Sequence, residues 1–305
     1  MITTMKEILE MAEKGGFAVS AFNTSNIELT RAIIDAAIET ETPVIIATSE
    51  KAIDYAGIDC LSKVVHSFGE KAPIPVALHL DHGKSLESVV RAIRYGWTSV
   101  MIDASDRPFE ENVEITRKVV QIAHAVGVTV EAELGRLKGI EDYVSVDERE
   151  AFLTDPDDAK RFVEETGVDA LAVAIGTSHG AYKFKGEPKL DLKRLEEIRD
   201  RVNVPLVLHG ASGVPGELVD GINELGGDIK GARGVPDDEL REAVKRGIRK
   251  VNADTDLRLA FTYAVRRFLK ENPAVFDPRK ILSSAMDEIK RVAIHRIKVL
   301  RPDLE

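Results

Sequence analysis

Polar residues close eight short apolar runs of this chain: Asn23, Ser49, Asp81 with His82, Asp103, Glu133, His179, His209 and Asn252. A polar residue after one such run is ordinarily just the start of a loop, so the weight lies in its recurrence at every run. Three of these residues are histidines. Neutral imidazoles from separate segments, with a fourth position left open, are the donor set of a catalytic zinc ion, and His82, His179 and His209 are the candidate ligands. Asp103 and Glu133 make a second constellation, of the oxygen donors that hard divalent cations prefer. Glu131 lies two residues before Glu133 and faces the same side. A carboxylate that deep needs a partner, and Lys250, two residues before Asn252, is the candidate. His79 is ambiguous. It shares a strand face with Asp81, whereas strand alternation points His79 and His82 to opposite faces, which favours a supporting or core role for it. His66, His124 and His295 fall in helical patterns and read as structural.

The elements that must position these groups alternate along the chain. The runs FAVSAF (17–22), PVIIATS (43–49), PVALHLD (75–81), TSVMIDA (98–104), VTVEAEL (128–134), DALAVAIG (169–176), VPLVLHG (204–210) and GIRKVNAD (247–254) are β-branched and apolar. Between them lie segments apolar at helical spacing, such as NIELTRAIIDAAIETE. Eight such units predict an α/β fold of the (β/α)8 TIM-barrel type, whose site lies at the C-terminal strand ends. A doubly wound open sheet is the rival, but AFNTSNIE stands where its glycine-rich nucleotide turn belongs. The reading is one barrel domain over residues 1–305, with a helical extension from about 272 to 305. Two connections are long. The one after the fifth run carries Gly135 and Gly139 as candidate hinges of a lid, and the one after the seventh reads as helix, glycine-rich loop and helix.

Composition narrows the partners. The chain has 305 residues, 44% hydrophobic and 31% charged, with a net charge of -10. That balance argues against nucleic acid or an anionic membrane as a general partner. Cys60 is the single cysteine, so no intrachain disulfide forms, which suits a reducing compartment. The opening MITTMKEILEMAEKGG lacks a signal-peptide core, and no run approaches the roughly 20 apolar residues of a membrane span. A cytoplasmic location is expected. Glycines surround two of the histidines, in GTSHGAYK (176–183) and HGASG (209–213). Exposed amides in such turns cradle anions. NADTDLR (252–258) follows the eighth run, and Thr255 stands where a helix N-terminus presents further amides. Together these predict a phosphorylated substrate.

In sequence order, AFN, YAG (55–57), LDHG, MIDAS, EAELG, GIED, GTSHGAYK, LHGASG and NADTDLR span nearly the whole chain. In this the chain resembles the class II, metal-dependent fructose-bisphosphate aldolases. The resemblance implies a TIM barrel with Zn2+, or another divalent ion such as Co2+, on His82, His179 and His209. It makes Asp81 the group that handles the C4 hydroxyl proton and Glu141, in GIED, the group that exchanges the C3 proton of dihydroxyacetone phosphate. It puts that phosphate on Gly180, Lys183, Gly210, Ser212, Asp254 and Thr255, and the triose on Asn252. Arg279, in FDPRK, would reach the distal phosphate from a neighbouring subunit, implying a homodimer or homotetramer. A monovalent cation (Na+, K+ or NH4+) near the phosphate loops is also implied, beside the second divalent cation considered at Asp103 and Glu133. Asn23 and Ser49 complete the expected substrate contacts. The chain departs from the family pattern at Lys138, where a glycine is common, and at Ala211, where HGGSG is common; neither removes a reacting group.

The expected reaction is reversible cleavage of fructose 1,6-bisphosphate to dihydroxyacetone phosphate and glyceraldehyde 3-phosphate, in glycolysis or gluconeogenesis. The alternatives are cleavage of the tagatose epimer and, further off, a metal-dependent hydrolase on the same barrel. A lysine Schiff base through Lys250 or Lys183 would leave the three histidines without a task.

Overall fold

The eight apolar runs become the wall of a closed parallel barrel. The structure, a computed structural model, describes residues 1–135, 153–177 and 189–304 in full, and 138–141, 144–146 and 178–179 as backbone. The strands in chain order are β1 (Val19–Asn23), β2 (Val44–Ser49), β3 (Val76–Gly83), β4 (Ser99–Ile102), β5 (Thr129–Leu134), β6 (Lys138–Glu141), β7 (Val144–Val146), β8 (Ala170–Val173), β9 (Ser178–His179), β10 (Leu206–Leu208) and β11 (Ile248–Ala253). The barrel runs β1-β11-β10-β8-β5-β4-β3-β2 and back to β1. The (β/α)8 expectation is met, with each barrel strand on one of the eight runs. The structure adds a sheet that the runs do not signal: β6 pairs antiparallel with β7 and parallel with β9. His179 therefore sits on β9, in register with Gly139, and not on barrel strand β8.

Helices cover the outside, each stopped and started by local chemistry. The helix Met5–Gly15 is opened by a capping box between Thr4 and Glu7 and closed by Gly16 in the left-handed conformation, which glycine adopts without a Cβ penalty. Its buried residues Met5, Ile8, Leu9 and Ala12 lie on one face. That face packs against Ala21, Ile45, Ala77, Ala170, Ala172 and Val207 inside the barrel. Four of these six are alanines, whose small side chains leave room for the helix face. Burial of Leu9 or Ile8 stabilises by roughly 1.5–3 kcal/mol each. The barrel thus has an apolar floor under its polar upper layer. The helix Pro278–Leu300 packs on Thr255–Glu271 and Ile27–Glu39, over the seam where β1 meets β11. No helix among the described residues is long and apolar enough to cross a membrane.

Candidate functional site: a buried histidine and carboxylate cluster

The last turn of β3 sets the site. Asp81 is in register with Ser49 of β2 and points into the barrel. Beyond Leu80 the pairing of β3 with β4 shifts register, and His82 has a φ of 49°, a left-handed conformation uncommon for a non-glycine residue. The bulge rotates His82 inward. Strand alternation, which would send His79 and His82 to opposite faces, does not hold here: both side chains reach the same interior cluster. A Cβ on Gly83 would lie 2.6 Å from the Met101 carbonyl oxygen, so only glycine lets the bulged strand come this close to β4.

Two imidazoles face one another at the barrel mouth. His82 Nε2 lies 2.8 Å from His209 Nδ1. The far nitrogen of each ring is taken by a carboxylate: His82 Nδ1 is 2.8 Å from Asp103 Oδ2, and His209 Nε2 is 2.8 Å from Glu131 Oε1. Carboxylates on the outer nitrogens fix tautomer and ring orientation in metal-binding histidines. Ligand atoms of Asp81, His82 and His209 lie within 4.8 Å of one another, as do those of His82, Asp103 and Glu133. The donor set fits a divalent cation: two imidazole nitrogens converge beside a carboxylate, each ring with its outer nitrogen already satisfied.

Beneath them lies a fully buried ion pair. Lys250 Nζ is 2.9 Å from Glu131 Oε2 and 3.1 Å from Oε1, the pairing expected from the sequence. Burial pushes the Glu131 carboxyl up, but the Lys250 ammonium and the His209 hydrogen bond outweigh it and hold the group well below its usual range. His79 is wholly buried; Nδ1 bonds the Ser99 hydroxyl at 2.8 Å, and Nε2 lies 3.7 Å from Glu131. Burial and the Lys250 charge push His79 down to about 3, so it is neutral.

Asp81 has a different setting. Its carboxylate accepts Nδ2–H bonds from Asn23 (2.9 Å) and Asn252 (2.9 Å). Burial alone would raise its pKa; the neighbouring His82, His209 and Lys250 overcome this and hold it well below the usual carboxylate range. Asp81 also works on His82. Burial would lower that imidazole, yet Asp81 and Asp103 bring it up to about 10, and the same negative surroundings favour a cation on Nε2. Glu133 goes the other way: burial and nearby Asp103 push it up to about 8.

Beside the histidines runs a tight loop. Gly210 has a φ of 59° and Val214 a φ of 49°, the latter strained for a β-branched residue. The buried Asp256 carboxylate secures it, accepting N–H bonds from Gly213 (3.0 Å) and Val214 (2.7 Å). Ser212 Oγ accepts from Asp254 N at 3.2 Å. Arg296, 2% exposed, reaches in from the helix Pro278–Leu300 to the Ala211 carbonyl oxygen at 3.2 Å. The sequence patterns single out neither Asp256 nor Arg296.

One cavity collects Asn23, Asp81, His82, His209, Gly210, Ser212, Asn252 and Asp254. Asp254 also pairs with Arg258, and Thr255 opens the helix Thr255–Glu271. Ser49 caps the helix Glu50–Ala56, accepting from Ala52 N at 3.3 Å. Arg279 is 89% exposed and paired with Asp277; among the described residues no bond joins it to the cavity. The side chains of Glu141 and His179 lie outside the described residues, as do Gly180 and Lys183 entirely.

The structure is thus a closed (β/α)8 barrel with a histidine and carboxylate cluster at its strand ends that could hold a divalent cation. Comparison with known proteins narrows it. Residues 3–303 match the family model for class II fructose-bisphosphate aldolase. The chain is 54% identical over 299 residues to a fructose-bisphosphate aldolase of Thermus caldophilus, covering 98% of both chains. It is 54% identical over 301 residues to one from Helicobacter pylori, again covering 98% of both. Among solved structures it superposes on the YdjI aldolase from Escherichia coli K12 with a TM-score of 0.81 at 34% identity, covering 98% of this chain and 97% of that one. The chain belongs to the class II fructose-bisphosphate aldolase family, whose members are metal-dependent carbon–carbon lyases.

Proposed function

We propose that the chain catalyses the reversible, metal-dependent cleavage of fructose 1,6-bisphosphate to dihydroxyacetone phosphate and glyceraldehyde 3-phosphate. The observation that carries this reading is Asp81, an ionised carboxylate held by Asn23 and Asn252 directly beside the paired imidazoles His82 and His209. His82 through Nε2, His209 through Nδ1 and His179 are the residues that would hold the divalent cation, zinc or cobalt. When bound, that cation supplies Lewis acidity toward the ketone and adjacent hydroxyl oxygens.

The protein's own groups then have separate tasks. Asp81 takes the C4 hydroxyl proton in cleavage and returns it in condensation; two amide donors keep its carboxylate aimed, and the charges of His82, His209 and Lys250 keep it ionised. Glu141, at the end of β6, exchanges the C3 proton, and the β6–β7 hairpin shields the reacting carbons from water. Amides and hydroxyls at Gly180, Gly210, Ser212, Asp254 and Thr255, with the Lys183 ammonium, take the phosphate of the dihydroxyacetone half, near a monovalent cation. Asn252 and Asn23 orient the triose. Ser49 and a neighbouring copy's Arg279 meet the distal phosphate in a cytoplasmic homodimer or homotetramer.

The test is a cleavage assay on purified protein with fructose and tagatose 1,6-bisphosphates side by side. Fructose 1,6-bisphosphate should be cleaved faster, a chelator should abolish turnover, and zinc or cobalt should restore it. Borohydride added with substrate should not inactivate; inactivation would replace the metal reading with a lysine Schiff base.

A further inference from the structure

The sequence suggests a second divalent cation at Asp103 and Glu133, and one side chain bears on that expectation. Lys84 follows the glycine that ends β3. Its backbone N–H donates to Glu50 Oε1 at 2.9 Å, which anchors the residue, and its Nζ lies 2.6 Å from Asp103 Oδ2. That same oxygen bonds His82 Nδ1 at 2.8 Å. The other oxygen accepts from Ser105 N (3.1 Å) and Ser105 Oγ (2.7 Å). Four donors fill the roughly four lone-pair sites of a carboxylate. Glu133, by contrast, keeps a buried Oε2 with no hydrogen-bond partner among the described residues, 3.5 Å from His209 Nδ1 and 3.9 Å from His82 Nδ1.

We propose that the Lys84 ammonium is the resident cation of the Asp103–Glu133 pair and keeps a second divalent ion from binding there. A divalent ion needs a free lone pair from Asp103, and Lys84 occupies it. A positive charge tethered at that oxygen also repels an incoming dication. The underlying geometry suits a metal once the ammonium is gone, because Asp103 and Glu133 bring carboxylate oxygens within 4.8 Å of each other. Lys84 differs from a solvated surface lysine in having two anchors, one on its backbone and one on its charge. It reaches the cluster from the rim, with its side chain 32% exposed, so its removal opens the pair without cutting into the core.

The proposal rests on His82 and His209 being the principal cation site, and metal counting separates the two readings. Wild type, Lys84→Ala, Lys84→Arg and the double variant Lys84→Ala/Glu133→Gln are dialysed against graded Co2+ and Zn2+, and bound metal is measured by elemental analysis. Wild type and Lys84→Arg should hold one tight ion per chain. Lys84→Ala should acquire a second, bound at least about tenfold more tightly than any second ion in wild type. The double variant should return to one. A second ion bound equally well by wild type, or a Lys84→Ala protein that still holds only one, would overturn the assignment. Failure of the principal site shows itself differently, as loss of the tight ion from all four proteins. Unfolding midpoints of the metal-free proteins confirm that each variant is folded when counted.

Discussion

Glu131→Gln tests whether the buried ion pair serves the metal site or merely fills the barrel. The carboxylate lies 2.8 Å from His209 Nε2 and 2.9 Å from Lys250 Nζ, and all three side chains are essentially inaccessible to solvent. Two separable effects follow from replacing it with an amide. The first is on stability: Lys250 loses its counter-charge in a dry environment, and breaking one side of a buried pair costs about 3–5 kcal/mol. The second is on metal affinity: a neutral amide holds the His209 ring less firmly and makes its Nδ1 a weaker donor. Losing such an outer partner costs about 10- to 100-fold in affinity, or about 1.4–2.7 kcal/mol. Adding Lys250→Met removes the stranded charge, so the double variant should regain most of the stability while its metal affinity stays low. The assays are urea unfolding of the chelated proteins and competition for zinc against a chromogenic chelator. If Glu131→Gln binds zinc as tightly as wild type, or if the double variant recovers affinity along with stability, the carboxylate does not orient His209 and the reasoning fails.

Asp81→Asn should keep bound metal while kcat falls by about 10²- to 10⁴-fold, the usual share of general acid–base catalysis; a variant turning over normally would remove Asp81 from proton transfer. For the chelated protein, the folded state holds His82 up to about 10 and Glu133 up to about 8, above their ordinary values. It therefore keeps protons that the unfolded chain has released, and stability should fall from about pH 6.5 to pH 9, on the order of a few kcal/mol. Saturating zinc should weaken or reverse that slope, since ligands must shed protons to bind. Unfolding midpoints at both pH values decide it, and a flat profile without metal would count against the assigned environments. Leu9→Ala, in the floor of the barrel, should cost about 2–5 kcal/mol in unfolding free energy with kcat little changed; a large loss of kcat in the folded variant would mean the floor shapes the site.

How much is visible in the residues depends on which rule governs each position. The eight barrel strands stand out because short β-branched runs, apolar on both faces, suit a buried parallel strand better than a surface helix. The Glu131–Lys250 pair is legible because strand parity puts positions two apart on one face, and a buried charge must have a partner. The same parity rule misplaces His82 relative to His79. A register shift and a left-handed residue overturn it, and LDHG gives only Gly83 as a hint. Lys84 looks like a solvated lysine in the sequence because its partner Asp103 lies beyond the next strand, a contact no local pattern reveals. Arg296 escapes for a similar reason: it bonds Ala211 across a long separation in sequence. The β6–β7–β9 sheet is hidden because its strands, of 4, 3 and 2 residues, are too short for a periodicity to stand out.

The helix Met5–Gly15 has a consequence for biosynthesis. Its apolar face is made on the ribosome before any barrel strand, yet its seat includes Val207 of β10, and the ring closes only when β1 pairs with β11. Until then Ile8 and Leu9 have no proper berth, and β1 offers an open edge to any passing strand. The nascent chain carries this stripe without its full seat until β10 has been made, a hydrophobic surface of the kind that recruits chaperones. Full seating of that helix therefore waits for strands made well after it, β10 among them.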